Sequence, residues 1–283
     1  MRIGLVLSGG MAKGAYQIGA LRAISEFVPR DEIAYISCAS VGVLNGYAYA
    51  TDQLALAENM WRNVCEDNSR FLISSLLKSS LLQQNIVNLY NPERELKVPF
   101  YASLLDVTHM NLVYKDLSTL EQELIPKSLR ASVAMPIYNQ SVTINKVQYY
   151  DGAMIDNIPI YPLAKQELDY IICIYFDDVS YRFESVSLDK KVIKLSFPSE
   201  SLLRQSVLFE QASIDKMIQR GYDRAMHILK SVFYEGYDNL EYVLKTIDFM
   251  NRTAGPGSLR ITGDVLVTNL NKVAKRLTIR RII

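Results

Sequence analysis

Residues 36–46 read ISCASVGVLNG, from Ile36 to Gly46. The first half is apolar and β-prone, and the second half opens a helical pattern. Between them stands Ser40, in the position of a strand-to-helix turn that holds a serine hydroxyl clear of a sheet. Such turns put glycine two residues before the serine and two residues after it, because strand and helix pass close together there. Gly42 meets the second requirement, while Cys38 occupies the first place. By itself the pattern has two readings: a nucleophile near the positive end of a helix, or a serine that only caps the helix.

Upstream, residues 2–7 form a short buried-strand pattern ending at Ser8-Gly9-Gly10. After Gly14 the apolar positions Ile18, Leu21, Ile24 and Val28 recur at helical spacing. Strand, glycine turn and helix thus occur twice within the first 50 residues. That repetition predicts a mostly parallel sheet covered by helices. The stretch SGGMAKG offers backbone N–H groups to a developing oxyanion. Its plainer reading is a tight turn joining strand to helix. Neither phosphate pattern fits. Ala15, not Lys, follows Gly14, and the spacing Gly9, Gly10, Gly14 is not that of a dinucleotide loop.

Farther on, residues 52–90 look helical but irregular, and VPFYASLLDV and NLVYKDL read as strands. IPKSLRASVAMPIY reads as a short helix stopped by Pro136. A strand pair ends at Asp151-Gly152, and DYIICIYFDD and KKVIKLSF continue the sheet. Residues 200–233 and the segment NLEYVLKTIDFM carry helical periodicity, and TAGPG at 253–257 breaks it. We expect a catalytic unit over residues 1–198 and a mainly helical extension over 199–283, packed on the same domain.

Composition sets bounds. The 283 residues are 49% apolar with a net charge of +1, enough for a large core and with no global pull toward nucleic acid. Three cysteines, Cys38, Cys65 and Cys173, show no metal-ligand spacing and argue against a disulfide framework, so a reducing, cytoplasmic setting is expected. The N-terminal apolar run lacks a signal-peptide core, and no run is long enough to span a bilayer. From residue 258 onward the chain has six Lys/Arg (Arg260, Lys272, Lys275, Arg276, Arg280, Arg281) against Asp264 alone. This tail reads as a solvated face or as a contact for anionic lipid headgroups. Phe71, Leu72, Ile73, Leu76, Leu77, Leu81 and Leu82 read as a lid or cleft wall, or equally as a core helix.

A serine nucleophile needs a base. His109 and His227 are the two histidines, and neither has a supporting pattern. The alternative is a carboxylate acting directly, which requires partial desolvation to work near neutral pH. Asp151, at a strand end before Gly152, is placed for that role. It is also what an ordinary Asp-Gly turn looks like.

Four blocks in order, LSGGMAKGAYQIGAL, CASVG followed by LN, RASVAMPIY and YYDGAMIDNIP, resemble the patatin-like phospholipase family over roughly residues 2–175. The resemblance implies a three-layer α/β/α sandwich related to the α/β hydrolases. It implies Ser40 as nucleophile and Asp151 as its dyad partner. Amides of Gly9, Gly10 and Met11 would form the oxyanion hole, with Lys13, Gly14, Cys38, Gly42, Gly152 and Asn157 in support and Pro159 matching the proline after the Asp-Gly turn. The implied reaction is acyl-ester hydrolysis of a lipid or phospholipid through an acyl-enzyme, without metal or other cofactor. Two departures stand out: Met11 for the third loop glycine and Cys38 for the first elbow glycine. They keep a second reading open, a lipid-binding regulatory module without turnover.

Overall fold

The computed structural model describes residues 1–63, 71–72, 80–136, 138–177, 180–183, 185–197, 208–209, 211–254 and 257–260. In chain order the first half gives β1 (Ile3–Leu7), α1 (Gly14–Phe27), β2 (Ile33–Ala39), α2 (Val41–Ala50), α3 (Leu54–Asn63), β3 (Phe71–Leu72), α4 (Ser80–Leu89), β4 (Phe100–Asp106), β5 (Asn111–Asp116) and α5 (Ile125–Ala131). The second half gives β6 (Val142–Ile144), β7 (Val147–Asp151), α6 (Tyr161–Ala164), β8 (Tyr170–Phe176), β9 (Tyr181–Phe183), α7 (Val186–Asp189), β10 (Val192–Phe197), β11 (Leu208–Phe209), α8 (Gln211–Val232), α9 (Leu240–Thr253) and β12 (Ser258–Arg260).

The central sheet runs β10-β8-β1-β2-β4-β7-β6, with β5 also on β4. From β10 to β4 every pairing is parallel, and β5, β6 and β7 add an antiparallel end. Period-2 alternation divides the side chains between two faces. Ile3, Leu5 and Leu7 of β1, with Ile172, Ile174 and Phe176 of β8, join one core beneath α1, α2, α8 and α9. Val6, Ile171, Cys173 and Tyr175 face the other way, against Ile158, Ile160 and Leu163 around α6. The sheet is therefore covered by helices on both sides, the three-layer α/β/α arrangement that two strand–turn–helix units predict.

Helix α8 crosses α1 with almost no space between backbones. A Cβ on Gly19 would lie 1.9 Å from the Ile218 carbonyl oxygen, and one on Gly221 would lie 2.1 Å from that of Tyr16. Two glycines at the crossing let the helices approach this closely, and α8 completes the core over α1.

Three sequence expectations change. The helical reading of 52–90 is interrupted by β3, which pairs antiparallel with β11 at Leu208–Phe209, inside the helix expected over 200–233; α8 spans Gln211–Val232. The short helix expected to stop at Pro136 ends at Ala131. The chain then turns so that the Ala134 carbonyl accepts from the Asp151 N–H at 2.8 Å. The lid reading falls on residues whose side chains are outside the described set, as do Cys65 and the tail beyond Arg260.

Candidate active site

Ser40 sits between β2 and α2 with φ 52° and ψ −133°. This is a conformation an L-residue rarely adopts, and holding it costs about 1–3 kcal/mol. The sheet and helix enforce it. β2 is fixed by parallel pairing on both edges, and the Val43 N–H already donates to the Ser40 carbonyl at 2.9 Å. Gly42 has no room for a side chain, because a Cβ there would lie 2.7 Å from the carbonyl oxygens of Leu7 and Ser8.

Cys38 is absorbed by a neighbour. A Cβ on Gly46, one turn into α2, would lie 2.6 Å from the Cys38 sulfur. The space that glycine usually leaves on the strand is here left on the helix instead. Burial pushes the Cys38 thiol well above its ordinary pKa, so it is a packed, unreactive group.

The glycine turn lies against Ser40. A Cβ on Gly9 would come within 2.8 Å of the Ser40 Cβ and 2.4 Å of Asn157 Oδ1. Asn157 clasps Gly9 from both ends: its carbonyl accepts from the Gly9 N–H at 3.1 Å, and its Nδ2 donates to the Gly9 carbonyl at 3.2 Å. The sequence reading assigns the amides of Gly9, Gly10 and Met11 to an oxyanion hole; in this structure the Gly9 N–H donates to the Asn157 carbonyl. Gly10 and Met11 donate to no backbone carbonyl among the described residues. Met11 takes φ 51°, a left-handed conformation that glycine would adopt freely. Lys13 opens α1 with its Nζ 6.0 Å from the centre of the Phe176 ring, the same ring that denies Gly10 a side chain.

Asp151 ends β7 at 2% exposure. Burial raises its pKa to about 7, against the opposing influence of the nearby Ser40 hydroxyl and the Ala153 N–H. The Ala153 N–H lies 2.9 Å from Oδ1. Gly152 turns the chain where a Cβ would meet the Ser103 and Leu104 backbone within 2.6 Å. A strained serine and a carboxylate that can hold a proton near neutral pH are both present.

The histidines are engaged elsewhere. His109 Nδ1 lies 2.7 Å from Asp106 Oδ2 at the β4–β5 turn, and His227 stands on α8; neither is among the groups acting on Asp151. Among the described residues no three His, Cys, Asp or Glu side chains gather as metal ligands. No described helix is long and apolar enough to cross a membrane.

Sequence reading misses a set of buried polar side chains: Gln17, Asn45, Trp61 and Asp156. Asp156 accepts from Tyr114 Oη at 2.6 Å and from Arg260 Nη2 at 3.3 Å. A glutamine inside the apolar run AYQIGAL was the available signal, since a buried amide demands partners.

An α/β sheet with a strained serine at a parallel strand's end, a glycine turn against it and a buried aspartate defines a recognisable class. Residues 5–164 match the sequence profile of the patatin-like phospholipases, and the chain belongs to that family. Among individual proteins, it is 30% identical over 197 residues to lysophospholipase NTE1 of Cryptococcus neoformans var. neoformans serotype D, in two strains. That alignment takes in 64% of this chain but spans only 12% of the fungal protein. Of solved structures, VipD from Legionella pneumophila resembles it with a TM-score of 0.51 at 14% identity, over 81% of this chain and 66% of VipD. That likeness is one of fold.

Proposed function

We propose that the chain hydrolyses acyl esters of lipids, with phospholipids and lysophospholipids as the substrate class. The observation that carries this reading is the buried Asp151 carboxylate near Ser40, its pKa raised by burial to about 7. In the first step Ser40 Oγ attacks the ester carbonyl carbon while Asp151 takes the hydroxyl proton. The N–H groups of Gly10 and Met11 receive the oxyanion. Collapse of the tetrahedral intermediate breaks the bond to the alcohol, which leaves with the proton from Asp151 and yields an acyl-enzyme. A water molecule then attacks the acyl carbonyl, Asp151 takes its proton and returns it to Ser40, and the fatty acid departs. No step written here draws on a cofactor.

Family membership and the lysophospholipase name of the fungal relative support a lipid substrate. We further assign the reaction to residues 1–198, with 199–283 as a helical extension, a cytoplasmic setting, and the basic tail as contact for a membrane surface. The second reading, a lipid-binding module without turnover, rests on Met11 in place of glycine. A fluorophosphonate probe separates the two. Labelling of the wild type that disappears in Ser40→Ala supports the enzyme. A wild type unlabelled in the presence of phospholipid vesicles would sink it.

A further inference from the structure

Three buried side chains on three helices form one hydrogen-bonded line that ends on the glycine turn. Trp61 Nε1, on α3, donates to Asn45 Oδ1 at 2.9 Å. Asn45 Nδ2, on α2, donates at 2.9 Å to both Gln17 Oε1 and the Gly14 carbonyl. Gln17 Nε2, on α1, donates to the Ser8 carbonyl at 2.7 Å. Asn45 and Gln17 are 2% and 0% exposed. The amide orientations are not interchangeable. Reversing Asn45 would set its NH₂ against the Trp61 N–H and its oxygen against the Gly14 carbonyl.

The two carbonyls at the end of this line are those of Ser8 and Gly14, which bracket the turn from Gly9 to Lys13. On its other side the Ser8 peptide is fixed by its N–H, donated to the Ile174 carbonyl at 2.9 Å. Trp61 adds a steric stop: a Cβ on Gly14 would lie 2.4 Å from its ring. Asn45 belongs to the helix that begins directly after Ser40, so one amide ties the nucleophile's helix to the opposite turn. Apolar side chains would fill this interior without the desolvation cost that buried amides carry. An interaction that must be fully satisfied specifies orientation as well as volume.

We propose that Asn45, Gln17 and Trp61 are positioning residues that orient the Gly10 and Met11 N–H groups toward the oxyanion. The inference rests on the hydrolase reading for its kinetic consequences, but the orientation itself does not. Asn45→Leu and Gln17→Met keep side-chain volume and remove the bonds. Asn45→Asp keeps the acceptor for Trp61 and removes the donors, and it serves if a fully apolar change prevents folding.

In a chromogenic acyl-ester assay kcat and the rate of fluorophosphonate labelling fall about 10- to 100-fold, with KM within about twofold. The acid limb of the pH profile, which reports Asp151, stays where it is. Hydrogen–deuterium exchange speeds up in the peptide spanning residues 8–17. Folded variants with wild-type kcat and wild-type exchange would overturn the proposal, as would a KM increase at constant kcat. If the wild type shows no Ser40-dependent labelling, the hydrolase reading fails. The exchange measurement alone then decides the positioning role: faster exchange supports it and unchanged exchange overturns it.

Discussion

Ser40 and Asp151 meet because two strands share one edge of a third: Ala39 of β2 pairs with Ser103 of β4, and Asp151 of β7 pairs with Leu104. β5 occupies the opposite edge of β4 throughout, since Ala102 pairs with Lys115 on that side and Leu104 with Val113. β2 runs parallel to β4 and β7 antiparallel, so their ends point at each other. The strand that leads into Ser40 stops where the strand of Asp151 arrives. Neighbouring register positions on one rigid strand hold the pair, which is more precise than a loop could be.

Ser40→Gly separates catalysis from stability. Glycine adopts φ 52° and ψ −133° without strain, so removing the side chain abolishes turnover yet raises stability by about 0.5–1 kcal/mol. Thermal melts beside activity assays check this. A variant that melts lower than the wild type would contradict the strain.

The acid limb of kcat/KM reports a group titrating at about 7, because Asp151 must be ionised to accept the serine proton. The same raised pKa makes stability fall as pH rises from 3.8 toward about 7, because over that window the folded state binds more protons than the unfolded. Asp151→Asn removes this ionisation. Its Tm relative to the wild type should climb from pH 4 to pH 8, and a flat difference would contradict the desolvated carboxylate.

Met11→Gly and Met11→Pro act in opposite directions. Glycine keeps the N–H and adopts φ 51° freely, so kcat changes less than about threefold. Proline removes the N–H and cannot take a positive φ, so kcat falls by at least about 100-fold. Equal activity of the two variants would exclude the Met11 amide from the oxyanion site.

Cys38 and Gly46 form one packing unit. Gly46→Ala places a methyl group 2.6 Å from the sulfur and destabilises the protein by about 1–3 kcal/mol. Combined with Cys38→Gly, much of that loss returns, giving a coupling of about 0.5–3 kcal/mol in a double-mutant cycle. Strict additivity in denaturant melts would show that the two positions do not share the space.

Much of the site was legible in the chain. Hydrophobic period and glycine placement marked two strand–turn–helix units, and Ser40 and Asp151 stand at strand ends where the local pattern put them. The helix over 200–233 was misread at Leu208–Phe209, because a two-residue strand paired with Phe71–Leu72 has no periodicity of its own. Gln17, Asn45 and Trp61 were passed over because each looks like an isolated residue of its own helix.

Local order along the chain determined the parallel α/β sheet, the elbow and the turn, since short-range sterics and side-chain period act between neighbours in sequence. Tertiary structure alone decided the rest. The Gly9 N–H donates to the Asn157 carbonyl. The room for the Cys38 sulfur comes from Gly46, and the proton affinity of Asp151 comes from the packing that buries it. Hydrogen-bond partners, free volume and desolvation depend on what the fold brings near, and a sequence does not contain those distances.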